Sequence, residues 1–350
     1  MAKKANSAHI LVIRLSAMGD VAITVPAVLA LRKQYPKIKI TVLTKSHFKP
    51  ILGTVYGVTV FPIDVQLEHK GISGLWKLYR ELDKLSISHV ADLHDVLRSK
   101  ILSFFFKIKG IPVQKIDKGR KEKKVLTRTK RKVFKPLQPT IERYYDVFKN
   151  LGFSLNFEEK QYLLKQELPD NLTSFEKSDS RKHIGIAPFA TYDSKIYRLG
   201  LIEEVIQQLC SHLNCDIYLF GGGKQEVKQL DILASKFNSR VQNMAGKLPF
   251  EAELALISNL DVMLAMDSGN AHLAANYGIS VVTVWGVTHP YAGFAPYQQP
   301  QENSLIPDRV KFPLIPTSVY GNKYPKSYVE AINSIPPQTI VERILKVLNC

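Results

Sequence analysis

Two short turns in this sequence carry residues suited to proton transfer and anion binding. The first is residues 14–20 (RLSAMGD). Gly19 permits a tight turn there, and the backbone N–H groups at the start of a following helix attract anions. Asp20 has two readings. It can cap the helix and offset its dipole, a contribution of about 0.5–2 kcal/mol. It can also stand on the floor of a cleft as a general base. The second turn is residues 263–272 (MLAMDSGNAH). Asp267 or Ser268 can cap a helix, while Ser268, Gly269 and the N–H groups after them form a phosphate cradle. His272 falls in the first turns of that helix, as an ordinary core or surface histidine or as a substrate contact; the adjacent Ser-Gly turn favours the contact.

Two weaker signals accompany them. Gly221, Gly222 and Gly223 precede Lys224, Gln225 and Glu226. They make either a flexible turn or a close backbone approach to a ligand, with Glu226 accepting from ribose hydroxyls. Lys195 ends residues 187–195 (APFATYDSK). It is a surface lysine by default, and a point charge for a diphosphate if that loop reaches a ligand. No GxGxxG follows the first strand, which argues against an NAD-linked oxidoreductase.

The elements that position these residues follow from hydropathy. Residues 9–15 (HILVIRL) read as a buried parallel strand. A helix with Pro26 follows over 21–34, then strands at 38–43 and 55–63, a helix at 74–85, and a strand at 90–93. Residues 139–151 read as a helix carrying Arg143, Tyr144 and Tyr145. The alternation restarts after a polar stretch: strands at 182–187, 215–220, 262–266 and 281–285, and helices at 201–213, 224–237, 250–259 and 269–277. A last helix spans 339–348. Strands alternating with helices predict parallel sheets. The domain boundary is expected in the polar residues 168–182, with the ligand cleft at the strand C-terminal ends.

The 350 residues are 45% hydrophobic and 23% charged, which excludes a disordered chain and fits two domains. Cys210, Cys215 and Cys350 make no disulfide framework and lack zinc-ligand spacing, which suits a reducing compartment. No apolar run is long enough to cross a membrane, and residues 1–8 lack a signal-peptide pattern. The net charge of +17 predicts an anionic partner. Residues 115–135 hold eleven Lys/Arg against Asp117 and Glu122. That block reads as a solvated loop, as a nucleic-acid arm without stacking aromatics, or as a patch facing anionic lipid, where each cation contributes about 1 kcal/mol.

Four segments then resemble successive signatures of the glycosyltransferase family 9 heptosyltransferases. They are residues 10–36 (ILVIRLSAMGDVAITVPAVLALRKQYP), 90–99 (VADLHDVLRS), 139–153 (PTIERYYDVFKNLGF) and 265–290 (AMDSGNAHLAANYGISVVTVWGVTHP). The resemblance implies an α/β GT-B architecture, two Rossmann-like doubly wound domains facing across a central cleft. It places an acceptor-binding domain at 1–168 and a nucleotide-sugar-binding domain at 182–335. Residues 336–350 would be a helix packing back on the N-terminal domain.

The same resemblance implies inverting transfer of a heptose from ADP-heptose to a lipopolysaccharide inner-core acceptor, with no cofactor and no metal for the chemistry. Asp20 matches the general base. Lys195, Glu226, Asp267, Ser268, Gly269 and His272 match donor-binding positions. Ser16, Arg98 and Arg143 fall in acceptor-side segments, with Ser99 beside them; Ala17 stands where the family more usually has a second serine. The expected partners are the nucleotide sugar, a lipid-linked anionic oligosaccharide and the inner membrane surface, with no nucleic acid. The expected location is cytoplasmic, peripheral at the inner face of the cytoplasmic membrane. The block 115–135 would face the anionic acceptor and that membrane. The rival reading is a non-catalytic anionic glycolipid- or nucleic-acid-binding protein of the same fold.

Overall fold

A computed structural model of the chain describes residues 8–156, 158–169, 172 and 181–349. The basic residues 1–7, Cys350 and most of the expected 168–182 boundary lie outside the described residues. The chain forms two compact units. One comprises Met1–Lys118 with Gln138–Leu163, and the other Gly119–Leu137 with Leu164–Cys350.

The first unit is built on five parallel strands, β1 (His9–Ile13), β2 (Lys39–Lys45), β3 (Val58–Ile63), β4 (His89–Asp92) and β5 (Val113–Lys115), in the order β3-β2-β1-β4-β5. Helix α1 (Met18–Gln34) follows β1. Its residues from Val21 to Val28 are all buried, so it is a core helix rather than an amphipathic one. Pro26 sits inside it. Helices α2 (Lys49–Gly53), α3 (Gly71–Asp83) and α4 (Leu97–Ile108) complete the crossovers. Leu11, Ile13, Leu43, Leu78, Leu82 and Phe106 join in one core around this sheet.

Helix α5 (Arg120–Thr127) groups with the second unit, whereas α6 (Thr140–Asn150) groups with the first. The 115–135 block is therefore divided, with Gly119–Leu137 grouped in the second unit. The reason is apolar contact. Leu126 and Leu137 pack with Ala292, joined by Phe134, Tyr291 and Phe294. Lys132 donates to the carbonyls of Leu314 and Pro316, and the Arg309 guanidinium lies 3.4 Å from the Phe134 ring centre.

The second unit has six parallel strands, β6 (Lys182–Ala187), β7 (Cys215–Leu219), β8 (Val241–Asn243), β9 (Val262–Met266), β10 (Ser280–Val284) and β11 (Ser304–Leu305), in the order β11-β10-β9-β6-β7-β8. Its helices are α7 (Leu199–His212), α8 (Gly223–Ala234), α9 (Phe250–Ile257), α10 (Gly269–Asn276) and α11 (Pro337–Val347). Ile340, Val341 and Ile344 of α11 lie in the core of the second unit, with Ile202 and Val205 of α7. Among the described residues no helix is long and apolar enough to cross a membrane.

Candidate functional site

In each unit the strand order reverses next to the first strand, between β1 and β4 in one and between β6 and β9 in the other. Ligands of doubly wound sheets bind outside the strand ends at such a reversal. The chemistry-bearing turns lie at these two places.

In the first unit Ile13 at the end of β1 pairs with Asp92 at the end of β4. Arg14 follows directly and is buried. One guanidinium nitrogen donates to the Leu93 carbonyl at 2.6 Å, and another forms an ion pair with the Asp20 carboxylate. Asp20 lies in the first turn of α1, and its side chain remains 28% exposed. Ala17, at the helix start, makes no side-chain cap bond. Asp20 is thus held sideways by a fixed cation and keeps a face toward solvent. Its main-chain carbonyl accepts from the Thr24 hydroxyl at 3.0 Å and the Tyr144 hydroxyl at 3.4 Å. Burial raises the Tyr144 phenol, which therefore stays protonated.

The turn after β4 supplies the rest of this site. The Asp92 carboxylate accepts from the N–H groups of His94 and Asp95 at 2.9 and 2.8 Å. His94 Nδ1 accepts from the Leu15 N–H at 3.4 Å. Burial, with the Arg14 and Lys118 cations nearby, lowers His94 to about 3, so its ring is neutral at any physiological pH. A neutral ring accepting at Nδ1 carries its proton at Nε2.

The expected acceptor-side residues separate. Ser16 is half-buried in the turn before α1. Arg98 is exposed in the first turn of α4. The Ser99 hydroxyl accepts from the Val96 N–H at 3.0 Å and so caps α4. Arg143 is buried, and donates to the carbonyls of Gln138 and Asp117 at 3.1 and 3.2 Å. Those bonds make it a brace between α6 and the chain before α5.

In the second unit Lys195 comes from the turn after β6 and Asp267 from the end of β9. Their charged ends lie 3.1 Å apart, each side chain only 12% exposed. Asp267 also accepts from the Thr288 hydroxyl at 2.8 Å. The capping alternative for Asp267 is not realised; a buried ion pair takes its place. Ser268 is the residue before α10 and makes no cap bond. Its hydroxyl is buried with no hydrogen-bond partner among the described residues, at the positive end of the α10 dipole. Gly269 opens α10, and His272 is buried in its first turns. Close packing fixes the Lys195 turn. A Cβ on Gly286 would lie 1.8 Å from the Ser194 carbonyl oxygen, and one on Gly321 would lie 2.6 Å from Lys195 Cδ. Glu226 Oε2 accepts from the Gly222 N–H at 2.7 Å, so one carboxylate oxygen closes the start of α8.

Arg14, His94, Thr288 and His289 belong to these sites and were not singled out from sequence. All four lie within the signature segments, and Arg14 directly follows the end of β1. His289 Nδ1 accepts from the Tyr291 N–H, while its Nε2 is buried without a partner among the described residues. Burial, then the cations of Arg309 and Lys132, lower it to about 4.

Comparison with known proteins bears on the family and the fold. The model of glycosyltransferase family 9 (heptosyltransferase) matches residues 75–313. The lipopolysaccharide core heptosyltransferase OpsX of Haemophilus influenzae is 25% identical over 292 residues, covering 82% of this chain and 81% of that one. A family 9 glycosyltransferase structure from Veillonella parvula superposes with a TM-score of 0.74 at 17% identity, covering 98% of this chain and 97% of the other. The E. coli heptosyltransferase WaaC, solved with ADP, gives 0.69 at 19% identity, over 97% and 99%.

Proposed function

The chain belongs to glycosyltransferase family 9, the heptosyltransferases, with the GT-B fold, and from that premise we propose that it moves a heptose from ADP-heptose to a lipopolysaccharide inner-core acceptor, with Asp20 as general base. The observation that carries the assignment is the Asp20 carboxylate, partly exposed at the strand-order reversal and oriented by buried Arg14. Asp20 takes the proton of the acceptor hydroxyl as its oxygen attacks the anomeric carbon. The bond from that carbon to the diphosphate oxygen breaks, ADP leaves with the electron pair, and the configuration inverts. General-base help of this kind supplies about 10²–10⁴-fold.

The donor end is assigned to the second unit. Lys195 and the N–H groups at the start of α10, beside the unpartnered Ser268 hydroxyl, suit the charge that grows on the leaving diphosphate. Asp267 holds Lys195 in place, and His272 and Gly269 line the same turn. Glu226 keeps one carboxylate oxygen for the ribose. The acceptor in this reading is lipid-linked and the enzyme works at the inner face of the cytoplasmic membrane. The net charge of +17 supports an anionic partner there.

Asp20→Ala tests the reading. Transfer of heptose to a deep-rough acceptor, followed by mass, should fall at least about 100-fold. ADP binding, followed by calorimetry, should stay within about twofold, because Asp20 acts on the acceptor hydroxyl and the residues assigned to the diphosphate are left intact. Unchanged transfer by the variant removes Asp20 as base. Tight binding of UDP-sugars alone in a donor screen removes the ADP-heptose assignment.

A further inference from the structure

Helix α4 is apolar on two sides, and only one of them faces the core. Ser99, Leu102, Ser103 and Phe106 point inward and are buried. Leu97, Phe104 and Ile108 recur at steps of seven and four residues and fall, at 100° per residue, within about 40° of arc on the opposite side, while Ile101 is half-buried against the core. Leu97 is 74% exposed, Phe104 57% and Ile108 70%. The neighbouring helix α3 adds Ile72, 70% exposed, and Trp76, 47% exposed. The Trp76 ring packs edge-on against Phe105 with centroids 5.1 Å apart, so the two helices present one continuous apolar surface. Single exposed apolar residues are ordinary, whereas five large ones on adjoining helices mark an interaction site.

The charges around the stripe identify the occupant. Residues 97–116 contain Arg98, Lys100, Lys107, Lys109 and Lys115 and no acidic residue; Lys100 and Lys115 face Asp95 and Lys109 pairs with Asp83, so Arg98 and Lys107 carry the excess charge beside the stripe. Lys100 and Lys107 flank the stripe on one side and Arg98 on the other. Lysine is depleted from protein–protein interfaces. A two-fold dimer through this face would set each cation row against its own copy. An anionic bilayer meets both demands, since its acyl region takes the aromatic and aliphatic side chains while the long cationic ones reach the headgroups.

We infer that the outer faces of α3 and α4 form a docking surface for an anionic lipid bilayer, with Trp76, Leu97, Phe104 and Ile108 entering the interface. The inference deepens the proposed function, because it rests on the acceptor being lipid-linked. Transfer to a delipidated acceptor fragment reads that function separately, so loss of docking and loss of chemistry are told apart.

The test is co-sedimentation of the full chain with vesicles of phosphatidylethanolamine and phosphatidylglycerol, set against phosphatidylcholine alone. The wild type should bind the anionic vesicles. Leu97→Ser/Phe104→Ser/Ile108→Ser should weaken binding at least about 100-fold, each immersed side chain being worth roughly tenfold, with transfer to the fragment unchanged. The chain has two tryptophans, and Trp285 is buried. A blue shift of emission on adding vesicles, absent in Trp76→Phe, would therefore report entry of Trp76. The proposal fails if the wild type binds no vesicles, or if the triple variant binds like the wild type. It fails equally if binding disappears only when Arg128, Lys130 and Arg131 become serine. A wild-type dimer that the triple variant dissociates, with no vesicle binding, would assign the surface to a second copy instead.

Discussion

His94 is buried within reach of two cations, and its neutral form is the one the fold accepts. In the unfolded chain the same ring titrates near 6.5, whereas in the folded chain it titrates near 3. Between those values the unfolded chain binds the extra proton. Stability is therefore complete above about pH 6.5 and is lost as pH falls toward 3. His289, lowered to about 4, acts in the same direction. Burial raises the Glu253 carboxyl to about 7, which acts in the opposite direction, so the readout is the difference between the wild type and His94→Gln. Between pH 7 and pH 5, by urea unfolding, the wild type should lose up to about 2 kcal/mol more than the variant. An equal change in both would mean that His94 protonates in the folded state. The residue scale is also where sequence reading fell short at the site. Asp20, Lys195 and Asp267 could be picked out as titratable groups in turns, but nothing local states that Arg14 and Lys195 are their partners.

At the scale of elements, two glycines with different surroundings make a clean comparison. Gly286 follows β10, where an added Cβ would strike the Ser194 carbonyl, whereas Gly200 near the start of α7 has nothing within 4 Å of its own. Gly286→Ala should displace the turn that carries Lys195. A destabilisation of about 1–3 kcal/mol is expected from overpacking, together with ADP binding weakened at least tenfold. Gly200→Ala should leave both nearly unchanged or slightly raise the melting point. Ser99→Ala removes the bond to the Val96 N–H and should lower stability by about 1 kcal/mol through the start of α4, read by thermal melting. Most elements were legible within two or three residues, because β1, β6 and β9 are short runs of buried β-branched and aliphatic residues. Helix α4 was not assigned, since apolar residues on two sides blur its period. Helix α5 was not assigned either, its sequence RKEKKVLT being dominated by charge.

Across the whole molecule the residues Gly119–Leu137 matter out of proportion to their length. They are separated in sequence from the rest of the second unit, yet they cover Tyr291, Ala292 and Phe294. Lys123 lies 4.2 Å from the Phe294 ring centre, and burial with Arg309 nearby lowers Lys132 to about 8. A fragment beginning at residue 164 should therefore melt below the intact chain. A synthetic peptide of residues 119–137 should restore part of that loss saturably, by about 3 kcal/mol at a hundredfold excess over its dissociation constant. A fragment indifferent to the peptide would show that the segment does not stabilise the second unit. Counting charges finds the block but not its grouping, because the Leu126 and Leu137 contacts that place it in the second unit join residues more than 150 positions apart.

Sequence alone determined the alternation of strands and helices, the two acidic turns and the excess of positive charge. Each of these is set by local hydropathy, by spacing or by composition. The tertiary structure decided which side chains meet: Arg14 with Asp20, Lys195 with Asp267 and Thr288, and Lys132 with two distant carbonyls. It also decided that α11 closes its own unit and that one side of α4 stays uncovered. Strand order sets those pairings. It places β4 beside β1 and β9 beside β6, and that choice depends on burial summed over a whole sheet rather than on any single stretch of chain.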